Sequence, residues 1–315
     1  MKLLFFKLAW SFYYFLPPVI RQILKNLLKK GGGHLDTNWT QQIALRDARG
    51  KLNIENALDT FCQYLDILNI NSIENKECVE IGTGYVGTHS LVMWLLGAKS
   101  VTAMDLNDIL VTKALHTACK DFDKEKVYKK IEKYIKNTNN LYLRVEMLDD
   151  WRSSVLENND KNIFFEYLAP FDLLTSKVQK RYDFIFTVSV LEHIPPSIIH
   201  NFLESLYEIQ SDVSTCMHFI DLTDHFDHEF NPFGFLGIDY NDYNEDDLAD
   251  SRGNRLRSYD WINLFNNIYT KPLSSETIEA PKALLPKLLS KKYNHIDRET
   301  LLSKSILIKL EKDLN

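Results

Sequence analysis

The residues Glu77-Cys78-Val79-Glu80-Ile81-Gly82-Thr83-Gly84-Tyr85-Val86-Gly87-Thr88 decide the fold. Glu77 to Ile81 is short, largely apolar and β-branched, the composition of a buried parallel strand. Thr88 to Leu96 then places Leu91, Val92, Leu95 and Leu96 at helical spacing. Between them Gly82, Gly84 and Gly87 are spaced G-x-G-x-x-G. Glycine allows the tight turn and lets a ligand come close to the backbone, and the N–H groups that open the helix point at whatever is bound. A second strand, Ser100 to Met104, ends at Asp105, whose carboxylate can accept both hydroxyls of a ribose.

That spacing alone is compatible with a nicotinamide dinucleotide. Glu80 argues for another cofactor. A carboxylate just before the first glycine sits badly beside a pyrophosphate and suits a ligand with a cationic methionine end. The acid–x–Gly–x–Gly turn resembles motif I of the class I S-adenosylmethionine-dependent methyltransferases. Two alternatives remain open, a non-catalytic cofactor-binding or scaffold protein of the same fold and an NAD-dependent oxidoreductase.

The chain beyond the turn agrees with this resemblance. Ile163 to Tyr167 reads as a third strand, closed by Pro170 and followed by Asp172. Tyr182 to Val188 reads as a fourth, running into Ser189-Val190-Leu191-Glu192-His193-Ile194-Pro195-Pro196. This junction resembles the segment after strand four in many small-molecule methyltransferases. A helix is expected over Pro196 to Gln210 and another over Trp261 to Asn267, with strands at Thr215 to Leu222, Tyr269 to Leu273 and Ser305 to Leu310. The resemblance spans residues 76 to 270. It implies a doubly wound, Rossmann-like α/β domain with a seven-stranded, mostly parallel sheet whose final strand is antiparallel. It also implies S-adenosyl-L-methionine as cofactor, with contacts from Glu80, Gly82, Thr83, Gly84, Asp105, Leu106, Asp172, Ser189 and Glu192, Asp172 facing the adenine.

The bulk composition narrows the partners. A chain of 315 residues fits one enlarged domain or a domain with appendages. A net charge of −6 argues against nucleic acid as partner. Cys62, Cys78, Cys119 and Cys216 show no C-x-x-C spacing, so neither a disulfide framework nor structural zinc is expected, and a reducing cytoplasm is the natural compartment.

Three segments are expected: residues 1–33, a basic amphipathic helical extension; residues 34–75, a helical lid; and residues 76–315, the cofactor-binding domain. Val19, Ile20, Ile23, Leu24, Leu27 and Leu28 alternate with Arg21, Lys25, Lys29 and Lys30 as on an amphipathic helix. Residues 1–30 hold no acid, which suits peripheral contact with anionic lipid at the inner face of a membrane; a helix packed over the substrate pocket is the other reading. Gly31-Gly32-Gly33 ends the unit. Between the second and third strands, residues 107–161 form a long charged excursion. Its helical part, Lys113 to Lys136, reads as a solvated face.

On the substrate side, His218 to Asp250 contains many acids and three histidines but no Lys or Arg. Basic residues return in Arg252, Arg255 and Arg257. The run after strand five and the Asn254-Arg255-Leu256-Arg257 segment resemble a methyltransferase subgroup found with bacterial surface-polysaccharide genes, which implies a small-molecule or glycan-like acceptor methylated at oxygen. A hydroxyl acceptor gains from a base within hydrogen-bond reach. His193 is the first candidate, with His225 and Asp221 next. Asn254, Arg255 and Arg257 are the expected acceptor contacts, since guanidinium suits phosphate or carboxylate; for the arginines a salt bridge to the preceding acids is the plainer use. Methyltransferases that modify RNA ends or quinone precursors place Glu-x-x-Glu-His at this junction and bind a divalent cation. Here Ser189 stands in place of the first acid, and no metal is expected.

Overall fold

A computed structural model of the chain describes residues 37–154, 164–226, 231–239, 244–270, 273–280 and 285–313. Contacts divide the chain into two units, Met1–Ile43 and Ala44–Asn315. The basic extension, residues 1–33, lies outside the described residues, and α1 (Thr37–Arg49) is the first described element. No helix among the described residues is long and apolar enough to cross a membrane.

The larger unit is α/β. Strands β1 (Glu77–Ile81), β2 (Ser100–Met104), β3 (Glu166–Leu168), β4 (Tyr182–Val188), β5 (Gln210–Asp221), β6 (Ser274–Glu279) and β7 (Ser303–Asp313) form a seven-stranded sheet in the order β3-β2-β1-β4-β5-β7-β6. The first five run parallel, and β7 is antiparallel to both of its neighbours. The strand order reverses between β1 and β4, so their carboxyl ends border the switch-point crevice where doubly wound sheets bind ligands.

The period-two alternation of the strands feeds two cores. In β4, Phe184 and Phe186 face a layer that includes α2 (Ile54–Ile67), α3 (Thr88–Leu95), α5 (Lys124–Ile131) and α6 (Thr138–Ser153). Ile185 faces the opposite layer, which includes α7 (Ile199–Glu208) and α9 (Ser258–Asn266). The Asn53 side chain caps α2 by accepting from Asn56 N–H, and the helix buries Ala57, Leu58, Phe61, Cys62 and Leu65. The Phe61 ring meets those of Phe184 and Phe186 at 6.3 and 4.7 Å. The segment expected as a lid therefore contains a layer of the core.

The excursion after β2 also differs from expectation. It forms α4 (Thr112–Ala118), α5 and α6 instead of one solvated helix. Val127, Ile131, Leu141, Val145, Leu148 and Trp151 are buried beneath an outer surface where Lys124 pairs with Glu146 and Lys130 with Asp59. High charge masked the apolar stripe beneath it. Two strand positions also move. The third strand falls at Glu166–Leu168, later than expected, and Ile163 lies outside the described residues. Tyr269 is not in a strand: its N–H donates to Phe265 and closes α9, and its ring is buried against Tyr207. The edge strand is instead β6, Ser-Ser-Glu-Thr-Ile-Glu, almost wholly exposed and without apolar alternation.

Candidate active site

The glycine turn is held by the end of β2. Gly82 and Thr83 N–H donate to the Met104 carbonyl at 2.8 and 3.2 Å, and the Thr83 hydroxyl donates to the same oxygen at 3.3 Å. Gly84 N–H then donates to Asp105 Oδ2 at 2.8 Å, and Asn107 N–H donates to Oδ1 at 3.0 Å. The carboxylate expected to face a ribose therefore also fixes the turn.

Two of the glycines do different work, both at positive φ. A Cβ on Gly82 would collide with Val190, from the segment after β4, so this glycine lets the two loops meet at the switch point. A Cβ on Gly84 would meet nothing within 4 Å. Its bare backbone faces open space, as close approach by a ligand requires.

Glu80 is buried, accepts from the Ser90 hydroxyl at 2.5 Å, and has His89 Nδ1 at 3.6 Å. Its carboxylate ties β1 to α3. Asp172 closes its own turn, accepting from Leu174 N–H and the Thr175 hydroxyl, each at 3.0 Å. The preceding residue, Phe171, donates its N–H to the Asp105 carbonyl at 2.8 Å, so the loops after β2 and β3 are joined. Leu106 is 62 % exposed beside Asp105, a large apolar side chain left at the rim of the crevice.

The second half of the site is assembled after β4 and β5. Ser189, at φ 51°, donates its N–H to the Phe219 carbonyl at 3.0 Å and leads into a 3₁₀ turn, Leu191–His193. Asn254 latches that turn: its side chain donates to the carbonyls of Leu191 and Ile194 at 3.0 and 2.9 Å, and its N–H donates to the carbonyl of Glu192 at 2.8 Å. Glu192 is 2 % exposed. Its Oε1 accepts from Asp221 N–H at 3.3 Å, and its Oε2 has no hydrogen-bond partner among the described residues. Burial pushes its carboxyl up to about 8.

His225 brings the cluster together. Its Nε2 is 3.6 Å from Asp221 Oδ2 and 3.9 Å from Glu192 Oε1, and its ring stands edge-on to that of His193 at 4.7 Å. His193 Nδ1 lies 3.2 Å from the carbonyl of Ala249, in α8 (Glu245–Arg252), which fixes Nδ1 as the N–H and leaves Nε2 its lone pair. Burial, aided by the charge of His225, lowers the His193 pKa. Burial opposes the charged forms of both Asp221 and His225. Their mutual contact, with Thr223 donating to Asp221 and Glu192 beside His225, outweighs it, so Asp221 is lowered and His225 raised. Two adjacent histidines are thus driven toward opposite protonation states. Tyr64 of α2, which has no local sequence signature, stacks on Phe219 at 5.2 Å, and burial with the nearby Asp221 charge pushes its phenol up to about 12.

The three residues expected to hold an acceptor serve the fold. Besides Asn254, Arg255 is 2 % exposed and donates to the carbonyls of Phe235 and Ile238 at 3.0 and 2.8 Å. Arg257 is 0 % exposed and donates to the carbonyls of Leu222, Leu301 and Ser303 at 2.5, 3.0 and 2.5 Å, which braces the start of β7 against the end of β5. Its burial corrects the expectation of an acceptor grip. The acidic segment instead pairs with Arg252, which grips Asp224. A cleft of about 300 Å³ lies away from the strand ends, between α2 and α5, lined by Glu55, Asp59, Lys126 and Lys130, which largely neutralise one another.

No family model matches the sequence, and no curated protein matches it. Solved structures resemble the chain. A candidate O-methyltransferase from Nostoc punctiforme PCC 73102 is 12 % identical, with 95 % of this chain and 70 % of that chain covered and a TM-score of 0.43. Magnesium protoporphyrin IX methyltransferase from Synechocystis PCC 6803, solved with bound SAH, is 12 % identical, with 81 % of each chain covered and a TM-score of 0.41. A candidate hemolysin from Streptococcus thermophilus is 16 % identical, with 85 % of this chain and 67 % of that chain covered and a TM-score of 0.39. At such TM-scores these are likenesses only, and the functional reading stands on the chain's own residues.

Proposed function

We propose that the chain binds S-adenosylmethionine at the β1–β4 switch point and transfers its methyl group to a small-molecule or glycan-like acceptor, at oxygen. The observation that carries this reading is the joining of Gly84, whose face is open, to Asp105 at the strand ends, with Gly82 of the same turn packed against Val190 in the segment that leads to His193. The sulfonium supplies its own leaving group, so the protein has only to align the acceptor in line with the methyl carbon and take one proton. The C–S bond breaks as the O–C bond forms, and the hydroxyl proton passes to His193. Neutral His193, with one nitrogen fixed by Ala249, is the base. Burial first, and then the neighbouring His225, favours the neutral form of His193, while contact with Asp221 favours the charged form of His225.

Calorimetry with S-adenosylmethionine and S-adenosylhomocysteine tests the cofactor: both should bind, and NADH should not quench tryptophan fluorescence. Binding of NADH alone would transfer the site to a dinucleotide.

Residues 1–30 carry a second part of the proposal. Their basic and apolar faces suit peripheral attachment to anionic lipid. Full-length protein should sediment with phosphatidylserine vesicles and a chain lacking residues 1–30 should not; a full-length protein that stays in the supernatant removes the anchor.

A further inference from the structure

We propose that Glu192, His193 and His225 form a binding site for one divalent transition-metal ion of the zinc class. The three residues come from two separate loops, yet each offers a donor atom within 4.8 Å of the others. Donors around an ion with bonds of ~2.1 Å stand roughly 3–4 Å apart, so small side-chain rotations complete the set. Two imidazoles and one carboxylate are the donors that borderline divalent ions prefer, and they suit magnesium or calcium poorly.

Two further observations point to a ligand. Glu192 Oε2 and His225 Nε2 are both buried without a hydrogen-bond partner among the described residues. A buried carboxyl oxygen without a partner is destabilising, which an ion would offset. The surroundings also follow the pattern of a metal's outer shell. Ala249 takes one ring N–H of His193, Asp221 N–H holds the other oxygen of Glu192, and Asn254 fixes the turn that carries two of the ligands. Asp221 Oδ2, 3.6 Å from His225 Nε2, stands ready as a further oxygen. The His225 side chain is 22 % exposed, so an ion can enter from solvent.

The three ligands lie outside the glycine turn, in the segments after β4 and β5. The site rests on the same cluster as the chemistry proposed above and would alter it: an ion would use the lone pairs of His193 and His225, displacing the proton of His225 to solvent, would lower the pKa of a bound hydroxyl, and would leave Asp221 as the nearby proton acceptor.

The test uses the full chain without a histidine tag, stripped with a chelator. Titration with Co²⁺, followed by visible absorption, and with Zn²⁺, followed by calorimetry, should show one equivalent. Zn²⁺ should also raise the melting temperature. Glu192→Gln and His225→Asn should each weaken Zn²⁺ binding at least tenfold and abolish the thermal shift, whereas His200→Asn on the exposed face of α7 should change neither. Circular dichroism identifies a variant that fails to fold; His193→Asn then takes its place, with the same expected loss. Absence of a stoichiometric site, or unchanged affinity in the folded variants, overturns the proposal. Cofactor binding without metal binding defeats this proposal alone, and metal binding without cofactor binding defeats only the methyl-transfer reading.

Discussion

The two sides of the strand-end crevice are finished in opposite ways. On the β1–β2 side both Asp105 oxygens and both Glu80 oxygens are engaged, by backbone N–H groups and by Ser90 and His89. On the β4–β5 side, Glu192 and His225 keep buried atoms without a hydrogen-bond partner among the described residues, and two adjacent histidines are driven apart in protonation. A satisfied turn is a rigid cradle, suited to holding a cofactor in one place. An unsatisfied cluster holds strain that is relieved only when something binds or reacts. On the function proposed above, the difference would divide the labour: binding on one side, chemistry on the other.

The largest expected effect tests that division. His193→Ala should lower turnover about 10²–10⁴-fold, the range for losing a general base, and leave the dissociation constant of S-adenosylmethionine nearly unchanged. An assay of S-adenosylhomocysteine release over hydroxylated acceptors, with calorimetry alongside, reads both. A loss shared equally between turnover and cofactor affinity would erase the boundary between the two sides.

The glycines give a smaller and more local contrast. Ala at position 82 must adopt positive φ and also press its Cβ into Val190. Together these should cost about 3 kcal/mol in urea unfolding. Ala at position 84 meets only the backbone cost, about 1–2 kcal/mol, but puts a methyl group into the open face of the turn. It should weaken cofactor binding about tenfold or more, roughly 1.4 kcal/mol. Equal stability losses with unchanged affinity for Gly84→Ala would mean that its open face is not a ligand cradle.

The β1–β2 side was legible in the sequence because its parts are local. Glycine spacing, a β-branched strand before it and an acid closing the next strand all fall between Glu77 and Asp105, and each has one physical use. The β4–β5 side was legible only as a list of residues. Glu192 and His193 lie beside each other in sequence, but Asp221 and His225 reach them only through the β4–β5 pairing, and Ala249 through α8. Ser189 in place of the first acid argued against a metal within that motif; the donor set proposed above differs by taking His225 from the loop after β5, which no spacing in the sequence ties to Glu192 and His193. Arg255 and Arg257 misled for a related reason. Sequence shows their charge but not their burial, and the guanidiniums serve backbone carbonyls. The buried face of α5 was obscured because its charged side chains outnumber Val127, Tyr128 and Ile131.

The smallest effect separates burial from function within one strand and its loop. His218 and His225 are seven residues apart. His218 is 0 % exposed, has its Nδ1 2.9 Å from the Thr187 hydroxyl, and stacks on Phe265 at 5.3 Å. Burial alone pushes its pKa down to about 3, whereas at His225 the neighbouring acids outweigh burial and the pKa rises. The native state therefore keeps His218 neutral over a range where the unfolded chain takes up a proton. Between pH 6.5 and 3 the unfolded state binds more protons, so this histidine makes stability fall as pH falls, by at most about 1.4 kcal/mol per pH unit. His218→Gln should remove that slope: the stability difference between variant and wild type should shift in favour of the variant by about 1 kcal/mol per unit from pH 6 to 4 in urea unfolding. A difference that stays constant with pH would mean that His218 is already charged in the fold, and burial would then no longer distinguish the structural histidine from the reactive pair.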